Sequence, residues 1–148
     1  MYNRNDRHAC ISAGRLRTVQ KGMTAVKYPP AYIRTLLSYR TGSSHCFKVS
    51  PLDKAPVITE GVKDMAELCE AYWLIDKIVS VQMTEPYSKE YFQVWRLVMK
   101  EDHKATLTCD DGNDKVISTE EINYTDFPLS EGVTLYMTND VIMLPTEY

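Results

Sequence analysis

Most of the features that announce a chemical function are scarce or absent in this chain. Only six of its 148 residues are glycine, and none sits in a phosphate-cradling loop, a dinucleotide-binding turn or a nucleophile elbow. A His-Glu-x-x-His string is also missing. These absences argue against the standard nucleotide-dependent and serine-hydrolase mechanisms. The three histidines (His8, His45, His103) and four cysteines (Cys10, Cys46, Cys69, Cys109) are scattered, with no C-x-x-C pair. That leaves no zinc spacing, and no metal or cofactor is expected. Long apolar runs are missing too. The longest, Ala71 to Ile75, stops at Asp76, so no membrane span is expected. The basic amino-terminal stretch lacks the apolar core of a signal peptide.

What is present describes an ordinary globule. The hydrophobic fraction is 44% and the charged fraction 25%. A chain of 148 residues is one domain by length, able to bury a core without staples. Ten tyrosines stand against three phenylalanines, which suits a half-buried sheet face or a contact surface. Widely spaced cysteines, two of them in apolar patterns, read as reduced thiols of a cytoplasmic protein. The net charge of −3 is unevenly distributed. Residues 1–22 hold Arg4, Arg7, Arg15, Arg17 and Lys21 against Asp6, a net of +4, which leaves −7 to residues 23–148. The acidic body disfavours a nucleic-acid footprint across the domain. Residues 1–22 have no sustained period and read as a basic, disordered extension, with Met23 as an alternative start; residues 23–148 read as a single α+β domain.

The pattern after Met23 has a clear order. Pro30 and the apolar Tyr32, Ile33, Leu36 and Leu37 predict a short helix ending near Tyr39. His45 to Val49 predicts a short strand, and Pro51 to Pro56 a loop. Gly61 to Met83 is the longest helical segment, capped by Thr59, with Val62, Met65, Leu68, Cys69, Tyr72, Ile75, Val79 and Met83 on one face. From Tyr91 the period becomes that of strands. Tyr91–Lys100 reads as a central strand covered on both sides, with Phe92, Val94 and Val98 on one face and Trp95, Leu97 and Met99 on the other. Ala105 to Cys109 follows, then a hairpin at Asp110-Asp111-Gly112-Asn113 and a strand from about Lys115 to Tyr124. Val133 to Met137 and Val141 to Leu144 complete the set around a tight turn at Asn139-Asp140. The expected architecture is a two-layer α+β fold. One long and one short helix pack on an antiparallel meander of about four to five strands, neighbours in sequence being neighbours in the sheet.

Few side chains suggest chemistry. Asp110, Asp111 and Asp114 are too close in sequence to converge as a calcium loop. His45 and Cys46 point to opposite faces of a strand, so the imidazole cannot activate the thiol. Glu67, Glu70 and Asp76 read as the solvated side of the long helix. Arg40, His45, Tyr124 and Asp126, all beside loops, are the candidates for a polar site. The aromatics Tyr72, Trp73, Tyr87 and Tyr91 are the candidates for a partner-binding patch, in competition with core packing.

Several strings carry a resemblance. TGSSH at Thr41 to His45, TEGVKDMAE at Thr59 to Glu67, AYWLID at Ala71 to Asp76, FQVWRL at Phe92 to Leu97, NYTDFPL at Asn123 to Leu129 and LPTEY at Leu144 to Tyr148 occur in order. Together they resemble a family of small, uncharacterised bacterial proteins, often encoded near plasmid and phage genes. The resemblance implies a bacterial or mobile-element cytosolic protein. It brings no catalytic residue, substrate or cofactor. The favoured expectation is a non-enzymatic protein-binding or regulatory protein, one version being an inhibitor of a host defence factor. The alternatives are a small enzyme or ligand-binding domain using Arg40, His45, Tyr124 and Asp126, and a nucleic-acid binder acting through residues 1–22. A protein partner is expected in the first case, and the oligomeric state is open.

Overall fold

Pro30 occupies the first turn of α1 (Pro30–Ser38), where its missing N–H costs nothing. The computed structural model describes residues 28–148, so the basic extension expected at residues 1–22 lies outside the described residues. After α1 come the short strands β1 (Cys46–Lys48) and β2 (Val57–Thr59). Two helices follow, α2 (Glu60–Leu68) and α3 (Tyr72–Val81), with a 3-10 turn at Tyr87–Lys89. The rest is sheet: β3 (Phe92–Met99), β4 (Ala105–Asp110), β5 (Val116–Ile122), β6 (Val133–Thr138) and β7 (Val141–Met143), with a final 3-10 turn at Pro145–Glu147.

The single long helix expected over Gly61–Met83 is two helices. Thr59 does cap the first, its Oγ1 accepting from the Val62 N–H at 3.3 Å. The chain then leaves the helix at Cys69, with Glu70 in the left-handed region (φ 51°). Ala71 N–H closes the end on the Ala66 carbonyl at 2.8 Å, the wide bond of a Schellman-type stop. Glycine usually takes that left-handed position, and here a glutamate does. The buried stripe shifts phase across the break: Val62, Met65, Ala66 and Cys69 before it, Ala71, Leu74, Ile75 and Ile78 after it. Leu74 and Ile78 do not belong to the stripe of one continuous helix. Met83, placed on that stripe by the sequence, is exposed.

The sheet has seven strands in the order β1-β2-β7-β6-β3-β4-β5, larger than the four to five expected. It is also not a simple antiparallel meander. β2 and β7 run parallel, with Val57 opposite Val141 and Ile58 opposite Ile142. The hairpins β3–β4 and β4–β5 follow sequence order. β6 instead returns across the sheet to pair with the far side of β3. The order β6-β3-β4-β5 is thus a Greek key. Residues 123–132 make the crossing, burying Phe127 and Leu129 in the core on the way. Gly132 ends it at φ 73°, where an added Cβ would run into the Leu97 carbonyl oxygen.

Register assigns the two faces. Gln93, Trp95 and Leu97 of β3 sit opposite Met137, Leu135 and Val133 of β6, and Trp95 and Leu97 opposite Cys109 and Leu107 of β4. Trp95, Leu97, Leu107, Cys109, Leu135 and Met137 form one buried cluster with Ile33 of α1, Val62, Met65 and Ala66 of α2, and Leu74, Ile75 and Ile78 of α3, and Val133 packs against it. All three helices therefore lie on one side. The opposite side carries Phe92, Val94, Arg96 and Val98 of β3 with Thr138, Tyr136 and Thr134 of β6. Among the described residues no helix lies over it. The expectation that β3 is covered on both faces holds only for its first half, where Val94 is buried, and is corrected for the second, where Val98 is 50% exposed and Arg96 is exposed as well.

Candidate functional site

The polar candidates divide between two places. Arg40 and His45 gather at the amino-terminal end of α2, beside the edge strand β1. Ser43 Oγ accepts from the Glu60 N–H at 3.0 Å and donates to the His45 carbonyl at 2.7 Å. The Arg40 guanidinium lies between Glu60, at 3.9 Å, and Asp64, which it contacts directly. Ser44 Oγ and Glu60 Oε1 approach His45 Nδ1 at 3.0 and 3.2 Å. This looks like a hydroxyl–imidazole–carboxylate relay, but its geometry fails. A relay needs the hydroxyl and the carboxylate on opposite ring nitrogens, and here both address Nδ1.

The same helix end leaves no room for an anion. Glu147, from the carboxyl-terminal 3-10 turn, already occupies it. Its Oε1 accepts from the Gly61 N–H at 3.0 Å; its Oε2 accepts from Thr59 Oγ1 at 2.6 Å and from the Leu144 N–H at 3.0 Å. A Cβ on Gly61 would stand 2.6 Å from that carboxylate, so the glycine makes the approach possible. A carboxylate here satisfies two otherwise unpaired donors and complements the positive end of the helix. The strings at Thr59–Gly61 and Leu144–Tyr148 thus meet in one structural clasp, a contact between distant segments that sequence reading had not joined.

Tyr124 and Asp126 lie after the other edge strand, β5. Tyr124 Oη donates to Asp126 Oδ1 at 2.8 Å, and His103 Nδ1 stands 3.7 Å from the same oxygen. The His103 and Tyr124 rings lie 5.3 Å apart. That hydrogen bond raises the Tyr124 pKa, which works against any role for the phenol as a nucleophile. All three side chains are exposed. The four polar candidates therefore do not form one site.

Among the described residues no three metal-ligating side chains come together, and no helix is long and apolar enough to cross a membrane. Burial pushes the Cys69 and Cys109 thiols up to about 12, far from reactive thiolates.

The aromatic candidates separate in a similar way. Tyr72 and Trp73 are half-buried and pack against the core. Tyr87 is also half-buried, stacked on the buried Trp95 at 5.7 Å. Only Tyr91 is free to solvent, at 75% exposure. A different aromatic group stands on the open face. Phe92, Tyr136 and Tyr148 are in mutual contact, with centroid distances of 5.2, 5.5 and 5.7 Å. Phe92 and Tyr136 are half-buried, and Tyr148 is 76% exposed. Rings this close leave no cavity between them, so the group is a raised apolar patch and not a cage for a cation. The alternation of β3 and β6 puts Phe92 and Tyr136 on one face, which was a legible signal. The return of Tyr148 across the sheet was not.

Fold and surface together define a two-layer α+β protein with one helix-covered and one open sheet face. Residues 31–148 match a family of unknown function (DUF6876), and the chain belongs to that family. A comparison with curated proteins finds no match, and neither does one with solved structures.

Proposed function

We propose that this protein is a non-enzymatic binding or regulatory protein that engages a protein partner through the open face of its sheet. One observation supports this above the others. Helices cover one face, while the other presents the contacting rings of Phe92, Tyr136 and Tyr148, the last of them 76% exposed. Aromatic side chains carry a large apolar area with a polar tip and anchor interfaces more often than other residues do. The polar clusters favour the same reading by default, because neither one arranges a nucleophile, a base and an orienting group in working order. In this reading the partner is a bacterial cytosolic protein, as the family strings imply. Inhibition of a host defence factor is one form that such binding would take.

Affinity capture from a bacterial lysate tests the proposal. Wild-type protein is expected to retain a partner that a Tyr148→Ala variant loses, that residue being exposed enough to spare the fold. A partner retained by that variant, but lost on Trp73→Ala, would move the site to the helix layer. Capture of nothing by the wild type would overturn the proposal.

A further inference from the structure

We infer that the occupant of the open face is a basic protein surface carrying an apolar anchor. This rests on reading that face as a binding surface and adds the chemistry of what it takes. Topology supplies the argument. The β4–β5 turn, the β6–β7 turn and the start of β3 all lie at one end of the sheet, the end where Phe92 stands opposite Thr138. Gly112 of the first turn comes against the Phe92 ring. These three segments bring Glu90, Asp111, Asp114 and Asp140 to that end of the sheet, against Lys115 and Lys89, the latter paired with Glu85; on the open face itself Arg96 pairs with Asp110. Asp114 and Asp140 are exposed, and Glu90 and Asp111 are half-exposed. The described residues as a whole carry eleven Lys and Arg against nineteen Asp and Glu, a net of −8.

An apolar patch with an acidic rim selects its occupant by charge. A second copy stacked face to face would bring two acidic rims together, and a nucleic acid would bring phosphates to carboxylates. A Lys- or Arg-rich surface around an aromatic or aliphatic side chain satisfies both parts. Exposed charges of this kind act mainly on encounter and specificity and weaken with salt, since the screening length is about 10 Å at 0.1 M.

The test uses the full chain, isotope-labelled for NMR, titrated with a synthetic peptide of alternating lysine and tryptophan. A glutamate–tryptophan peptide of equal length is the control. The lysine peptide is expected to shift the resonances of Phe92, Tyr136, Tyr148, Asp114 and Asp140. Its affinity is expected to fall about tenfold between low and moderate salt, and by a similar factor in an Asp114→Asn/Asp140→Asn variant. Equal binding of the glutamate peptide at this face would overturn the charge argument while leaving the face a binding surface. Shifts centred on Glu67, Glu70 and Asp76, or no response to either peptide, would overturn the inference whatever the lysate capture shows. Rim resonances that ignore both peptides but move on Arg15→Glu/Arg17→Glu substitution would overturn it in favour of the chain's own basic segment.

Discussion

At the scale of single residues, the buried amides are the most demanding groups in the molecule. Gln82 and Gln93 exchange two hydrogen bonds, at 2.9 and 3.0 Å. Gln93 Oε1 also accepts from the Trp95 indole at 2.9 Å, and its Nε2 donates to the Tyr87 carbonyl at 3.1 Å. The network ties the end of α3 to the start of β3. Gln93→Leu would leave the Trp95 indole N–H and Gln82 Oε1 without their partner, while Gln82 Nε2 keeps the Ile78 carbonyl at 2.9 Å and the Tyr87 carbonyl keeps the Glu90 N–H at 3.1 Å. Urea unfolding is expected to show a loss of about 2–4 kcal/mol, and a loss under about 1 kcal/mol would mean that water replaces these bonds. Glu131 offers a second residue-scale check. Arg34 clasps it with two hydrogen bonds, at 2.7 and 2.9 Å, which lower its pKa to about 2. Because the folded-state value is depressed, the stabilisation is present above the ordinary glutamate range and is lost as pH falls towards about 2. Both side chains are half-exposed, so the energy involved is small. A carboxyl NMR titration should find Glu131 near 2 in the wild type and back in the ordinary range in Arg34→Ala.

At the scale of elements, the break between α2 and α3 decides how the helix layer packs. Two short helices can each turn an apolar stripe towards a twisted sheet, where one straight helix would carry Asp76 towards the core. The left-handed conformation of Glu70 costs a side-chain-bearing residue roughly 1–2 kcal/mol. Glu70→Gly is therefore expected to raise stability by up to about 1 kcal/mol, and Glu70→Val to lower it by about 1–2 kcal/mol. Equal unfolding midpoints for the two variants would show that the break is not held in that conformation. The outer strands follow a different logic. β5 is an edge, and the register shift between Cys109 and Asp110 gives it a bulge. It also carries Glu120 and Glu121, held by Lys77 at 2.6 Å and Lys100 at 2.7 Å. Bulges and charged side chains are how edge strands resist pairing with other chains. β5 is therefore guarded against strand addition from another chain.

At the scale of the whole molecule, stability should grade from the middle of the sheet outwards. β3 is central, flanked by β4 and β6, and Gln93, Trp95 and Leu97 of its inner face are buried; β1 has only three residues and sits at an edge. Native-state hydrogen exchange is expected to find β3 and the strands beside it opening only with global unfolding, and β1 exchanging at least about a hundredfold faster. Uniform protection across all seven strands would contradict this picture. Among the described thiols, Cys46 should be alkylated in the folded protein, while Cys69 and Cys109 should wait for unfolding, since both are buried.

The sequence by itself determined which stretches are helix and which are strand from β3 onwards, the Thr59 cap, the hairpin at Asp110–Asn113 and the family. Each of these depends on side chains a few residues apart, through period, capping or turn chemistry. Only the tertiary structure decided the rest. A three-residue strand such as β2 has no period to read and exists because β1 and β7 pair with it. The Greek key order depends on where residues 123–132 cross, which burial of Phe127 and Leu129 settles. The helix break rests on a glutamate in a conformation that favours glycine. The candidate site depends on the same long-range contacts. Arg40 with His45, and Tyr124 with Asp126, are near neighbours in sequence that the sheet sends to opposite edges. Phe92, Tyr136 and Tyr148 are far apart in sequence and meet only because β6 pairs with β3 and the carboxyl-terminal turn folds back over the open face.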